Sequence, residues 1–75
     1  MNPQHVNEEV EMSKKMSKTL IRRIREATGL SQVAFAKRLG CTVVQVSRWE
    51  NGHAVPSPVF TEKLRSMGQR RGVSV

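Results

Sequence analysis

Ser31-Gln32-Val33-Ala34-Phe35-Ala36-Lys37-Arg38-Leu39-Gly40-Cys41-Thr42-Val43-Val44-Gln45-Val46-Ser47-Arg48-Trp49-Glu50-Asn51-Gly52 is the stretch whose reading decides the fold. It holds two short helices with almost nothing between them. Ser31 reads as the N-cap of the first, its hydroxyl taking an amide that the helix cannot satisfy itself. Leu30 before it and Phe35 four residues into the helix have the spacing of a hydrophobic staple. Val33, Ala36 and Leu39 continue an apolar face, Lys37 and Arg38 load the last turn favourably with the helix dipole, and Gly40 ends it. The second helix begins at Thr42-Val43-Val44-Gln45, a capping box of the form S/T-x-x-E/Q, with Cys41 and Val46 as a second staple. Val46 and Trp49, three apart, face inward, and Trp49 reads as core. Asn51-Gly52 terminates this helix. So tight a join forces a steep crossing of the two helices and leaves the N-terminal turn of the second one projecting.

The flanking sequence supplies two more helices. Upstream, Leu20, Ile21, Ile24, Ala27 and Thr28 form one buried stripe over Lys18 to Thr28, with Arg22, Arg23 and Glu26 largely outside it. Gly29 marks the stop. Downstream, after the loop from His53 to Pro56, Ser57-Pro58 gives an N-cap followed by proline at the first helical position. Phe60, Leu64 and Met67 are the stripe of that helix, with Val59 beside it and Gly68 as its close. The expected fold is all-α, a compact four-helix unit over residues 17–68. Residues 1–16 read as an acidic-then-basic tail, able to lengthen the first helix or to order on a partner. Residues 69–75, with Arg70 and Arg71, read as a basic C-terminal tail.

Composition narrows the function classes. Seventy-five residues make one domain, and aromatics at 4% are too few to wall a deep enzyme cleft. All thirteen Lys and Arg lie from residue 14 onward against three acids, which leaves +10 there out of a net +7 for the chain. Such a density favours a polyanion, either nucleic acid or an anionic membrane surface. A single cysteine, Cys41, excludes an internal disulfide and a cysteine-based zinc site. No apolar run approaches the roughly twenty residues that span a bilayer, and the N-terminus has acids where a signal peptide has a basic start. The expectation is a cytoplasmic, nucleoid-associated protein with no membrane partner. His5 and His53 are isolated, and no Ser-His-Asp set, carboxylate pair or glycine-rich phosphate loop occurs. No catalytic residue, metal or cofactor is expected.

The join between the second and third helices is the geometry of a helix-turn-helix, whose second helix enters the major groove of DNA. Ile24-Arg25-Glu26, Gly29-Leu30, Ser31-Gln32, Ala36, Leu39-Gly40, Val46 and Trp49-Glu50-Asn51-Gly52 carry a resemblance to the phage-repressor and Cro-type, or xenobiotic-response-element, helix-turn-helix family. It covers roughly Leu20 to Met67. Two of its elements have their own physical reason, since Ala36 lets two helices pack closely and Gly40 allows a positive φ. The resemblance implies a lambda-repressor-like DNA-binding domain in a transcriptional regulator. The regulator would be a repressor, binding double-stranded DNA as a homodimer on a palindromic operator. It implies that Thr42, Val43, Val44, Ser47 and Arg48 face base edges. Gln32 falls where relatives contact a phosphate through the start of helix two, and Asn51 with Gly52 and His53 matches the part touching the other backbone strand. Gln45 is grouped with the phosphate contacts. Arg25 and Glu50 match a structural ion pair joining helix one to the end of helix three.

The chain also departs from that pattern. Val43 and Val44 stand where relatives often carry polar readers, and a valine can touch a thymine methyl but makes no bidentate bond. Readout then leans on Arg48, suited to guanine N7 and O6, with Thr42, Gln45 or Ser47. The loop His53-Ala54-Val55-Pro56 lacks the Lys or Arg of many relatives. Phosphate contacts therefore go to backbone amides and Asn51, with charge from Lys18, Arg22, Lys37 and Arg38. Many relatives have a fifth helix for dimerisation; here the dimer contact is left to helix four with Val73-Ser74-Val75, or to assembly on DNA. A second reading comes from a likeness to antitoxin components of toxin–antitoxin pairs, in which the acidic arm, Glu8 to Glu11 within residues 1–16, contacts a toxin. A simpler reading makes that arm a brake on non-specific DNA binding by self-repulsion.

Overall fold

Local capping chemistry sets the helix boundaries. In the computed structural model, which describes residues 16–75, the elements are α1 (Lys18–Thr28), α2 (Gln32–Leu39), α3 (Val43–Glu50) and α4 (Pro58–Arg70). Of the tail read over residues 1–16, residues 1–15, the acidic arm Glu8 to Glu11 among them, lie outside the described residues. Ser17 caps α1, its Oγ accepting from the Leu20 amide at 3.1 Å. Ser31 caps α2 in the same way, accepting from the Ala34 amide at 3.1 Å. The capping box of α3 is complete: Thr42 Oγ1 accepts from the Gln45 amide at 3.2 Å, and Gln45 Oε1 accepts from the Thr42 amide at 3.0 Å. Ser57 and Pro58 start α4 as the sequence reads, though the Ser57 hydroxyl makes no capping bond. Gly40, in the turn between α2 and α3, has φ +82°, and its amide donates to the Ala36 carbonyl at 2.9 Å. A side chain there would be strained, and this one residue turns the chain from one helix to the cap of the next.

The core gathers Met16, Ile21, Ile24, Phe35, Ala36, Leu39, Val46, Trp49 and Leu64. α3 packs on α2 and α1, and α4 packs on α1 and α2. Trp49 and Phe60 meet in a tilted pair, centroids 5.5 Å apart, which joins α3 to α4. Leu30 and Cys41 are partly buried and pack against this core, to which Phe35 and Val46 belong. Burial holds the Cys41 thiol up from its usual range, partly offset by the Lys63 charge.

Several readings are corrected. Met16, assigned to the tail, is 5% exposed and part of the core. Val33 is 52% exposed, because α2 turns Phe35 inward and Val33 stands about 160° around the helix from it. Ala27 and Val59 also face outward. α4 does not close at Gly68 but runs on to Arg70, so the basic C-terminal stretch begins as helix. Gly68 is buried beneath Ile24 and Val75: a Cβ there would stand 3.1 Å from Ile24 Cγ1 and 2.9 Å from Val75 Cγ1. The chain then reverses at Gly72, and the Val73 amide donates to the Gly68 carbonyl at 2.8 Å. Val73 and Val75 thus return onto the protein's own core. Among the described residues no helix is long and apolar enough to cross a membrane.

Candidate nucleic-acid interface

One side of α3 is fixed and the other is open. Val46, Trp49 and Glu50 are buried, and Thr42, Val43, Val44, Gln45 and Arg48 are exposed. At about 100° per residue, Val44 and Arg48 stand only about 40° apart and opposite the buried stripe. Val44 is 62% exposed and Val43 38%. Ser47 lies on the same side, half-buried, and its Oγ accepts from Asn51 Nδ2 at 3.3 Å. The polar side chains of this helix differ in how far they are engaged. Thr42 and Gln45 are tied to each other in the capping box, with a further bond from Thr42 Oγ1 to Gln45 Oε1 at 3.3 Å. Among the described residues, Arg48 makes no side-chain hydrogen bond or ion pair.

Glu50 holds this helix in place. Its side chain is fully buried, and Arg25 grips it with two bonds, Nε to Oε2 at 2.7 Å and Nη2 to Oε1 at 3.0 Å. Gln32 Nε2 donates to Oε1 at 3.2 Å, and Arg22 Nε lies 3.6 Å from the same oxygen. Burial by itself would raise the Glu50 pKa. The hydrogen bonds from Arg25 and Gln32 and the charges of Arg25 and Arg22 outweigh it and hold the carboxyl below the usual range. The bond to Glu50 in turn raises the Arg25 guanidinium further. Arg25 Nη1 also donates to the Leu30 carbonyl at 3.1 Å, so one side chain ties α1, the turn into α2 and the end of α3.

The remaining sequence-selected residues divide between two places. Lys18, Thr19, Arg22, Glu50 and Asn51 line a shallow concavity where α1 begins and α3 ends. That gathers two cations beside the Asn51 amide, on the flank of α3. Gln32, at the first position of α2, is joined to this region through Glu50. His53 is exposed, with its backbone amide donating to the Arg48 carbonyl at 2.8 Å. Lys37 is exposed on α2. Arg38 borders the groove between α2 and α4 with Glu62, Lys63 and Arg70, a groove to which no residue of α3 contributes. The sequence reading overlooked Lys63, whose Nζ donates to the Leu39 carbonyl at 3.1 Å and caps the end of α2 from α4. It lies 5.5 Å from the Phe60 ring centroid as well. The Phe60-to-Lys63 spacing is legible in sequence; the carbonyl it reaches is not.

Two helices joined by a three-residue turn, with the second presenting an open polar and basic face, define a helix-turn-helix DNA-binding domain. Comparison agrees: the helix-turn-helix domain family matches residues 19–67. The chain belongs to that family, in its phage-repressor and Cro-type branch, and is a DNA-binding regulator. No curated protein and no solved structure matches it.

Proposed function

We propose that the protein is a sequence-specific repressor that lays α3 in the major groove of an operator and binds as a two-fold dimer on a palindrome. The observation that carries this reading is the open face of α3, where Val44 and Arg48 stand opposite the buried Val46, Trp49 and Glu50. Thr42, Val43, Val44, Ser47 and Arg48 are the base-facing residues. Gln32, Lys37, Arg38, Gln45, Asn51 and His53 serve the phosphates, and Lys18 and Arg22, which line a concavity with Asn51 on the flank of α3, add charge there. Phosphate neutralisation supplies most of the affinity and makes it steeply salt-dependent, while base contacts and DNA shape set the choice of site. Repression needs nothing more than occupancy of the operator.

The test is selection of bound duplexes from a random pool at roughly physiological salt, where non-specific binding is weak. An inverted repeat with half-sites about ten base pairs apart, or a multiple, is the expected result. A single asymmetric half-site would remove the dimer from this reading. No enrichment would overturn it.

A further inference from the structure

The proposed function leaves open what α3 reads, and the bonding around its exposed face narrows the answer. Thr42 and Gln45 spend their capping groups on each other, with Gln45 Oε1 accepting twice. The Ser47 hydroxyl is held by Asn51. On the crest of the helix stand two exposed valines, the more exposed of them at Val44, and the Arg48 guanidinium, which among the described residues has no hydrogen-bond or ion-pair partner. The Gln45 side-chain N–H groups, outside the capping box, are the other donors on this face. Val44 and Arg48 are four residues apart, one helical turn, so they address neighbouring base pairs rather than distant ones.

We infer that the half-site holds a thymine and a guanine within two base pairs of each other, Val44 packing on the thymine 5-methyl and Arg48 donating to guanine O6 and N7. This rests on the reading of α3 as the groove-entering helix. The chemistry of the major groove supplies the match: only thymine offers an apolar group there, and guanine alone offers two acceptors to a fork of donors. Val44 has no polar atom with which to prefer any other base edge. It follows that the element read at that position is the methyl group itself. A 5-methylcytosine carries the same methyl at the same place and serves in its stead, whereas uracil pairs like thymine but leaves Val44 with nothing to cover.

The experiment starts from the half-site enriched by the selection above. Each thymine is replaced singly by deoxyuridine, and affinities are measured for the wild type, Val44→Ala and Arg48→Ala. One thymine within two base pairs of a guanine loses about fourfold in wild-type affinity, the worth of one buried methyl group. Val44→Ala is insensitive to the same replacement and, because Val44 lies on the surface and alanine favours helix, folds like the wild type by circular dichroism. Arg48→Ala loses its preference for the guanine and keeps its sensitivity to uracil. With a cytosine–guanine pair at the thymine position, 5-methylation of the cytosine restores about fourfold. If a half-site is enriched but no thymine near a guanine is uracil-sensitive, or Val44→Ala stays sensitive, this inference fails and the proposed function stands. If nothing is enriched, both fail.

Discussion

Removing the Glu50 carboxylate is the sharpest perturbation the fold offers. Three side chains converge on it, Arg25 at 2.7 and 3.0 Å, Gln32 at 3.2 Å and Arg22 at 3.6 Å, and the carboxylate has no exposed surface. Glu50→Ala leaves the Arg25 guanidinium facing a cavity with only the Leu30 carbonyl as acceptor. Taking one partner from a buried ion pair costs about 3–5 kcal/mol. The Arg25 side chain is 20% exposed, so water reaches part of it and the loss belongs at the lower end, about 3 kcal/mol. A domain of this size has about 3–9 kcal/mol in all, so the variant approaches or crosses its unfolding limit at 25 °C. Urea titration followed by Trp49 fluorescence measures it directly, because Trp49 is the sole tryptophan and is 4% exposed beside Glu50. Glu50→Gln keeps the shape and one acceptor oxygen and loses less. In a double-mutant cycle with Arg25→Ala, the two losses together fall short of their sum by at least about 1.5 kcal/mol. A loss below about 1 kcal/mol for Glu50→Ala, or additive losses, would refute the claim that this pair fastens α3.

Further consequences can be measured with the same protein. The folded pKa of Glu50 is depressed, so its contribution is fully present above the ordinary carboxylate pKa of about 4.3 and is lost as pH falls through the lowered folded value. The urea midpoint drops below about pH 4 in the wild type and much less in Glu50→Gln; equal pH profiles would contradict this. Thr42→Ala dissolves the capping box at a cost of about 1 kcal/mol and speeds hydrogen exchange of the Gln45 amide, while amides in α4 keep their protection. Gly68→Ala lowers stability by about 1 kcal/mol despite the better helix propensity of alanine, because its Cβ meets Ile24 and Val75; a more stable variant would show that both side chains yield freely. Arg48→Ala costs about 1–3 kcal/mol of DNA binding and relaxes one base pair, whereas Lys18→Ala weakens all duplexes alike and flattens the salt dependence.

Much of this architecture was legible because it is local. The Ser31 and Thr42 caps, the Gly29 and Gly40 stops and the Pro58 start are each decided within five residues, and α1, α2 and α3 begin and end where those signals lie. Gly68 misled because a glycine that stops a helix and a glycine that admits a neighbour look identical in sequence. Only the positions of Ile24 and Val75 distinguish them. Val33 misled for a related reason: a three-residue spacing to Ala36 is compatible with two faces, and the larger Phe35 took the buried one. At the site, helical periodicity places Val46 and Trp49 inward, which leaves Val44 and Arg48 outward. The Arg25–Glu50 pair came from the family resemblance, since nothing in the periodicity of α1 or α3 shows that a carboxylate will be buried. The bond from Gln32 to Glu50, the cap from Lys63 to Leu39 and the position of Arg38 beside α4 all depend on how the helices pack.

The central claim is that the open face of α3 is the surface that meets DNA. Titrating the isotope-labelled protein with duplex DNA and following backbone amide shifts tests it residue by residue. The largest changes are expected from Thr42 to Arg48, with lesser ones at Lys18 and Asn51 and little along α4. Changes centred on residues 62–70 of α4, with Val43 to Arg48 unmoved, would contradict the account.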